Sequence, residues 1–387
     1  MNKRIVYLLV AAVVLLGLVA ASCAPQAEPA PGPAPTAAPT TAAPTPAPVV
    51  EVIKWREQAP QPKGSKQFGY MDNFINMIED MSNGQIEITR FGGGEIVPNL
   101  SELDAVDEGV LDCSTSSAGY YLGQLGNQMD LFSHYPGGPG PAALSYWIFE
   151  GGGQDLYNAQ FADYNIHSVA PFNFGPAELF CHSNKPIRTL EDFQGLKFRT
   201  AGIWGNVLER IGASVCMLPG SELYTSIETG VIDAFEFTGP GNNYSMGYQE
   251  CAQYIEGPGI HAPSTSGNFM INKDRWNELP DNIKCIIEHA AEAQCGRSIA
   301  MMMKEDMLGM ELFDKYGTEM IKLSDEVQLQ ICDVAKEMYD EWALEDPVWA
   351  EIYQSEWDFF DKWYKYDDFV NPSITIFTPK AGDTYGD

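Results

Sequence analysis

Positive charge is scarce in this chain. It carries 23 lysines and arginines against 53 aspartates and glutamates, a formal net charge of −30. Without a basic tract to neutralise phosphates, nucleic acid is excluded as a partner. The acidity reads first as a solubility device and second as capacity for cations. Histidine is also sparse. The five, His134, His167, His182, His261 and His289, show no ligand spacing and read singly as structural. No CxxC pair exists, which removes zinc ribbons and dithiol redox motifs. Of eight cysteines, Cys23 stands apart. The other seven cannot all pair within one chain, so most read as small buried apolar residues, with room for one disulfide. The phosphate loop GxxxxGK[ST], the HExxH zinc motif and the GxSxG elbow are missing. The glycine triplets at 92–94 and 151–153 lack dinucleotide-binding spacing. Nothing pairs a nucleophile with a base, which argues for capture of a solute over its conversion.

What is there begins at the N-terminus. Lys3 and Arg4 precede an apolar run from Ile5 to Val19, then Ala20-Ala21-Ser22-Cys23. A charged start, apolar middle and small residues at the cut make a secretory signal over residues 1–22. A cysteine directly after the small residues reads as a lipidation site, with ordinary cleavage as the alternative. A membrane span is the third reading, but the run falls short of the roughly 20 residues a span needs. No second long apolar run follows. Residues 24–49 are almost wholly alanine, proline and threonine, so residues 23–49 read as a lipidated cysteine and a semi-rigid stalk.

About 335 residues remain, enough for two lobes at roughly 100–200 residues each. "VIKWREQAP" is strand-like, "FINMIEDMSNG" has helical spacing with a stop, and "QIEITRF" alternates as a strand. With "LSELDAVDEGVLDCSTS" the order is β-α-β-α-β, which predicts a parallel sheet with helices on its faces. The pattern returns in "KFRTAG", "IWGNVLERIGA", "SVCMLPG" and "SELYTSIETGVIDAFEF". The stretches at 102–112 and 222–233 share Glu-Leu, a helical turn or two, then Gly-Val-apolar-Asp. Two similarly built α/β lobes create a cleft, where ligands bind. From residue 281 the chain reads as helical. Ile283, Ile286, Ile287, Ala290 and Ala291 form one stripe, and Ser324 and Asp346-Pro347 open two further helices. The aromatic stripe Trp349, Ile352, Tyr353, Trp357, Phe360 and Tyr364 packs on the chain's own lobes or forms a dimer contact.

Arg199 stands where a strand meets a glycine-bearing turn before a helix. Its planar fork suits a carboxylate ligand; alternatively it pairs with one of the chain's many acids.

Together, "EGGGQDLYNA" (150–159), "TLEDFQGLKFRTAGIWGNVLERIGA" (189–213), "LPGSELYTSIETGVIDAFEFTGP" (218–240) and "NKDRWNELP" (272–280) resemble the DctP-type solute-binding proteins of tripartite ATP-independent periplasmic (TRAP) transporters, most closely the branch that binds 2-oxo acids. The likeness covers most of residues 51–365. It implies two α/β lobes joined by crossing strands and a long helix, closing over a ligand between them: a periplasmic-binding-protein fold with a helical C-terminal extension. The expected division is 51–174 plus about 263–305 for the first lobe, 175–262 for the second and 306–387 for the extension.

The resemblance also implies roles. Arg199 matches the arginine that binds the substrate carboxylate, Glu236 a metal ligand, and Phe237 a position that offers its backbone carbonyl to the metal. Glu178 falls where the branch has a metal-binding glutamine. Ala262 falls where it has a glutamate, so one carboxylate is lost and another gained. Na⁺ or Ca²⁺, which take oxygen ligands, is the implied cofactor; otherwise Glu178 meets an amine or hydroxyl of a different substrate. Tyr120 and Tyr121 are placed to face the partner lobe, with core packing as the alternative, and Phe237 to wall the ligand's short tail. The function so implied is an extracytoplasmic receptor, anchored at the cell membrane, that hands a small carboxylate (a 2-oxo acid, lactate or similar) to membrane subunits. Dimers known in the branch extend the aromatic stripe's second reading. A lipoprotein sensor without transport, and a secreted enzyme working from Arg199 and Glu236, are the alternatives.

Overall fold

The computed structural model describes residues 51–372, apart from Pro219. The signal run, Cys23 and the stalk lie outside the described residues. Among the described residues no helix is long and apolar enough to cross a membrane.

Two sheets organise the chain. The first contains β1 (Ile53–Gln58), β2 (Ile86–Phe91), β3 (Cys113–Ser116), β4 (Ile166–Gly175) and a later strand, β10 (Thr265–Asn272), in the order β2-β1-β3-β10-β4. The second contains β5 (Cys181–Ser183), β6 (Lys197–Arg199), β7 (Ser214–Cys216), β8 (Ala234–Phe235), β9 (Tyr254–Gly257) and β11 (Glu319–Lys322), in the order β11-β9-β5-β8-β6-β7. β1, β2 and β3 are parallel, as the β-α-β-α-β order predicts. β10 and β4 complete the sheet antiparallel, so it is mixed. These two strands carry the chain out of the first sheet and back. Gly175 and Thr265, where it leaves and re-enters, are register partners.

The repeated segments fold alike. Each makes a short helix, Glu102–Asp107 or Leu223–Glu228, closed by a glycine with positive φ, Gly109 at +74° or Gly230 at +71°. Only glycine takes that conformation freely. Each then places an aspartate against the neighbouring strand. Asp112 accepts the Arg56 N–H at 2.8 Å, and Asp233 accepts the Lys197 N–H at 3.0 Å.

The helix Asp281–Tyr316 fastens both sheets. Its stripe of Ile283, Ile287, Ala290 and Ala291 is buried under the first sheet, while Phe313 packs with Leu179 and Ile255 beside the second. Along its length Gln294 donates to Asn173 Oδ1 at 2.8 Å, Ser298 to the Phe174 carbonyl at 2.8 Å, and Asp306 accepts from Gly241 N at 2.9 Å.

Two sequence expectations need correction, and a third is refined. Residues 319–322, inside the segment read as helical, form β11 and pair in parallel with β9. The seven described cysteines are all free, so no disulfide forms among them. The aromatic stripe divides. Trp349, Ile352, Tyr353 and Phe360 are buried, whereas Trp357 and Tyr364 are about half exposed. Ser324 and Asp346 do cap their helices, accepting from Val327 N at 3.3 Å and Val348 N at 2.8 Å.

Candidate functional site

Parallel strands collect functional groups at their carboxyl ends, where chain crosses from strand to helix. Arg199 ends β6 and Glu236 follows β8, which lies beside it with Arg199 opposite Phe235. Glu178 sits on the crossing between β4 and β5. Its N–H donates to the Ala262 carbonyl at 3.1 Å, which ties the outgoing chain to the returning one. Gly259 permits this approach, because a Cβ there would collide with the Glu178 carbonyl.

These groups wall a cavity of about 140 Å³ between the sheets. Tyr70, Tyr120, His134 and Asn173 line it from one side, Phe237, Thr238 and Asn242 from the other, and Met302 and Asp306 from the long helix. It falls well below the roughly 300–1,000 Å³ of pockets for drug-sized ligands, so it suits a solute of few atoms.

Arg199 is held on three bonds. Nε donates to the Leu218 carbonyl at 2.9 Å, and Nη1 to the Glu236 carbonyl at 2.9 Å and Glu236 Oε1 at 3.2 Å. Among the described residues no protein group accepts from Nη2. The Arg199 and Glu236 side chains are only 6% and 9% exposed. Glu236 Oε1 also accepts Ala201 N at 3.1 Å, on the turn that Gly202 closes with φ of +73°. Both alternatives for Arg199 therefore hold together: it pairs with an acid, and it lies in the cleft. Phe237 stacks toward the guanidinium, 6.0 Å from its ring centroid, and lines the cavity.

Glu178 is under electrostatic load. Burial, then the nearby Glu236 carboxylate, pushes its pKa up to about 8. Burial likewise raises Asp306 to about 6 and Tyr120 to about 12. Two buried carboxylates facing one cavity repel unless a positive charge lies with them.

Sequence reasoning missed one participant. His261 is 1% exposed, and among the described residues neither ring nitrogen has a hydrogen-bond partner. Its Nε2 lies 3.7 Å from Glu178 Oε2, and one ligand atom each of Glu178, Glu236 and His261 lie within 4.8 Å of one another. Burial lowers its pKa to about 4, so the imidazole is neutral and has a lone pair to offer. The donor set fits a cation: Glu236 and, once a positive charge is near, Glu178 supply charge, and among the described residues the orphaned nitrogen lacks any protein partner. The signal was one residue away, since His261 precedes Ala262, where a glutamate was expected.

Tyr120 and Tyr121 separate. Tyr120 lines the cavity, but Tyr121 is fully buried in the core with its hydroxyl 2.9 Å from Ser116 Oγ. Tyr121 is thus removed from the candidate site. The two occupy one 3-10 helix, Ala118–Tyr121, whose successive side chains point to different sides. Ala262 is fully buried and contributes its carbonyl to Glu178 N.

Residues 59–346 match the family described as DctP, bacterial extracellular solute-binding protein, family 7. The chain belongs to this family. A curated relative of this solute-binding protein, the monocarboxylate 2-oxoacid-binding periplasmic protein of Nostoc sp., is 28% identical over 313 residues, 80% of this chain and 84% of the relative. Two solved TRAP periplasmic solute-binding proteins resemble it in structure. One, from Colwellia psychrerythraea with bound calcium and pyruvate, has a TM-score of 0.78 and 28% identity, covering 83% of this chain and 98% of that one. The other, from Pseudoalteromonas atlantica with bound sodium and pyruvate, has a TM-score of 0.78 and 26% identity, covering 83% and 97%. The two-sheet α/β architecture is that of the two-lobed solute-binding proteins.

Proposed function

We propose that this solute-binding protein captures a small 2-oxo acid or similar monocarboxylate outside the cytoplasm for a TRAP transporter. The observation that carries this reading is the Arg199 guanidinium, fixed by three protein bonds with Nη2 left over, beside a cavity of about 140 Å³. A carboxylate accepting from Nη2 gains a charge-assisted bond in a water-poor cleft, where such pairs are strongest. Phe237 walls the acid's short tail. Tyr120 and Asn242 offer polar atoms for its remaining oxygens.

A cation held by Glu178, Glu236 and the Phe237 carbonyl would offset the charge of a bound acid and of the two carboxylates. The calcium- and sodium-containing pyruvate complexes of the Colwellia and Pseudoalteromonas proteins support this. The acid leaves unchanged in this reading, as the family of solute-binding proteins suggests.

Cys23 carries lipid and residues 24–49 hold the receptor off the membrane. Residues 51–174 with 263–305 form the first lobe and 175–262 the second, and the chain from 306 adds β11 to the second sheet before an extension whose aromatic face pairs two copies. Support comes from the Ala-Ser-Cys signal end and from the exposure of Trp357, Tyr364 and Tyr366.

Thermal-shift screening of short organic acids on chelator-treated protein, with Ca²⁺ or Na⁺ restored, tests the reading. A ligand of the folded state stabilises it by RT ln(1 + [L]/Kd). 2-Oxo acids should raise Tm most; a panel in which no carboxylate shifts Tm contradicts the proposal.

A further inference from the structure

The donor set is not all oxygen: Glu178 and Glu236 line the cavity, and His261 lies beside them. We propose that His261 is a direct nitrogen ligand of the bound cation, which makes a first-row divalent transition ion, and not Ca²⁺ or Na⁺, the preferred occupant of this chain's site. This rests on the cation-bridged receptor reading above and deepens it.

Geometry comes first. The 3.7 Å between His261 Nε2 and Glu178 Oε2 is too long for a hydrogen bond. It is close to the separation of two ligands that share an ion at about 2.0–2.2 Å each. Glu236 contributes the third atom within the 4.8 Å cluster. Its Oε1 is occupied by Arg199 and Ala201, which leaves Oε2 for an ion.

The second observation is independent of the acids. A buried imidazole normally donates from one nitrogen and accepts at the other. His261 does neither, although it is 1% exposed and aromatic rings surround it, Phe180 at 5.7 Å and Trp204 at 5.9 Å between centroids. An uncompensated ring in so apolar a setting costs free energy, which a metal bond through Nε2 would offset.

Ligand chemistry then selects the ion. Hard Ca²⁺ and Na⁺ take oxygen ligands, whereas imidazole suits zinc, copper, iron and nickel. Two carboxylates and one imidazole leave positions open for the carboxylate and 2-oxo oxygens of the acid. The substitution is compact: the chain has Ala262 where a glutamate is expected and supplies His261 immediately before it.

The test uses the mature full-length protein, stripped with chelator and loaded with metal alone. Mn²⁺ or Cu²⁺ bound to wild type should give electron spin-echo modulation from a single imidazole nitrogen. Co²⁺ should bind one per chain at least tenfold tighter than Ca²⁺ in equilibrium dialysis. His261→Gln should lose the nitrogen signal and reverse the Co²⁺/Ca²⁺ preference. Absence of nitrogen coupling in wild type, or tighter Ca²⁺ than Co²⁺, overturns the inference without relying on any variant. Pyruvate binding with Ca²⁺ is measured alongside. If it persists without nitrogen coupling, only the role of His261 fails. If pyruvate binds equally well with no ion at all, the cation bridge fails, and if it binds under neither condition the receptor reading fails too.

Discussion

Arg199 does two things that a lysine cannot do together. It spends Nε and Nη1 on fixed protein acceptors, and among the described residues Nη2 has none, which in the proposed receptor leaves it for a carboxylate. Arg199→Lys keeps the charge but has no fork, so we expect binding of a carboxylate to weaken by about 1.5–3 kcal/mol, the scale of a charged hydrogen bond. Titration calorimetry with pyruvate reads this directly, and unchanged affinity would return Arg199 to a purely structural pairing with Glu236. Gly259 supports the site from behind. Gly259→Ala should push Glu178 from its contact with Ala262 and weaken acid binding more than it lowers Tm; a loss confined to Tm would mean that Glu178 does not depend on that approach. Arg199 and Glu236 were legible because a strand-end arginine and the "DAFEF" acid match a family pattern. His261 was not, because its partners Glu178 and Glu236 come from separate segments, and spacing in sequence does not show which distant segments meet. Tyr121 was misplaced because neighbouring residues on a 3-10 turn look alike in sequence but face core and cavity respectively.

At the scale of elements, close packing and buried charge set the constraints. Helix Asp281–Tyr316 meets the start of helix Pro240–Ser245 at Gly309, where an added Cβ would press on the backbone of Pro240 and Gly241. Gly309→Ala should therefore destabilise by about 1–3 kcal/mol, as overpacking does, in urea unfolding. Glu256 on β9 is fully buried, accepts from Ser183 Oγ at 2.7 Å, and is pushed by burial up to about 7. A carboxyl with a raised folded pKa holds its proton where the unfolded chain has released it. Its stabilising contribution is thus complete below the ordinary value of 4.5 and fades as pH rises to about 7. Glu256→Gln should flatten the fall in stability across that window by up to about 1.4 kcal/mol per pH unit. An unchanged slope in urea melts would show that Glu256 is ionised in the folded protein. The repeated helix–glycine–strand units were legible, since Gly109 and Gly230 punctuate them. β11 was not: four residues after Gly317 gain strand character only from pairing with β9. Nor could sequence show that β10 would return antiparallel, because that register is fixed only when the crossing strands meet.

Across the whole molecule, Asp130 accepts from Ile203 N at 2.7 Å and so joins the loop beyond β3 to the turn behind Arg199. This bond spans elements on either side of the cavity. The N-terminal signal supports anchoring, and mass spectrometry of the native protein should find diacylglyceryl-cysteine at Cys23; an unmodified terminus starting elsewhere contradicts it. The two-lobed architecture was legible because the α/β pattern occurs twice with an interruption between the copies, although repetition alone does not exclude a single shared sheet. The central claim remains that Arg199 and the carboxylates beside it bind a small acid through a cation. Calorimetric titration of pyruvate into chelator-treated protein, before and after metal is restored, tests it most directly. We predict binding only with metal present, and weakened, metal-independent binding in Glu236→Gln. Equal affinity with and without metal in the wild-type protein would contradict the account.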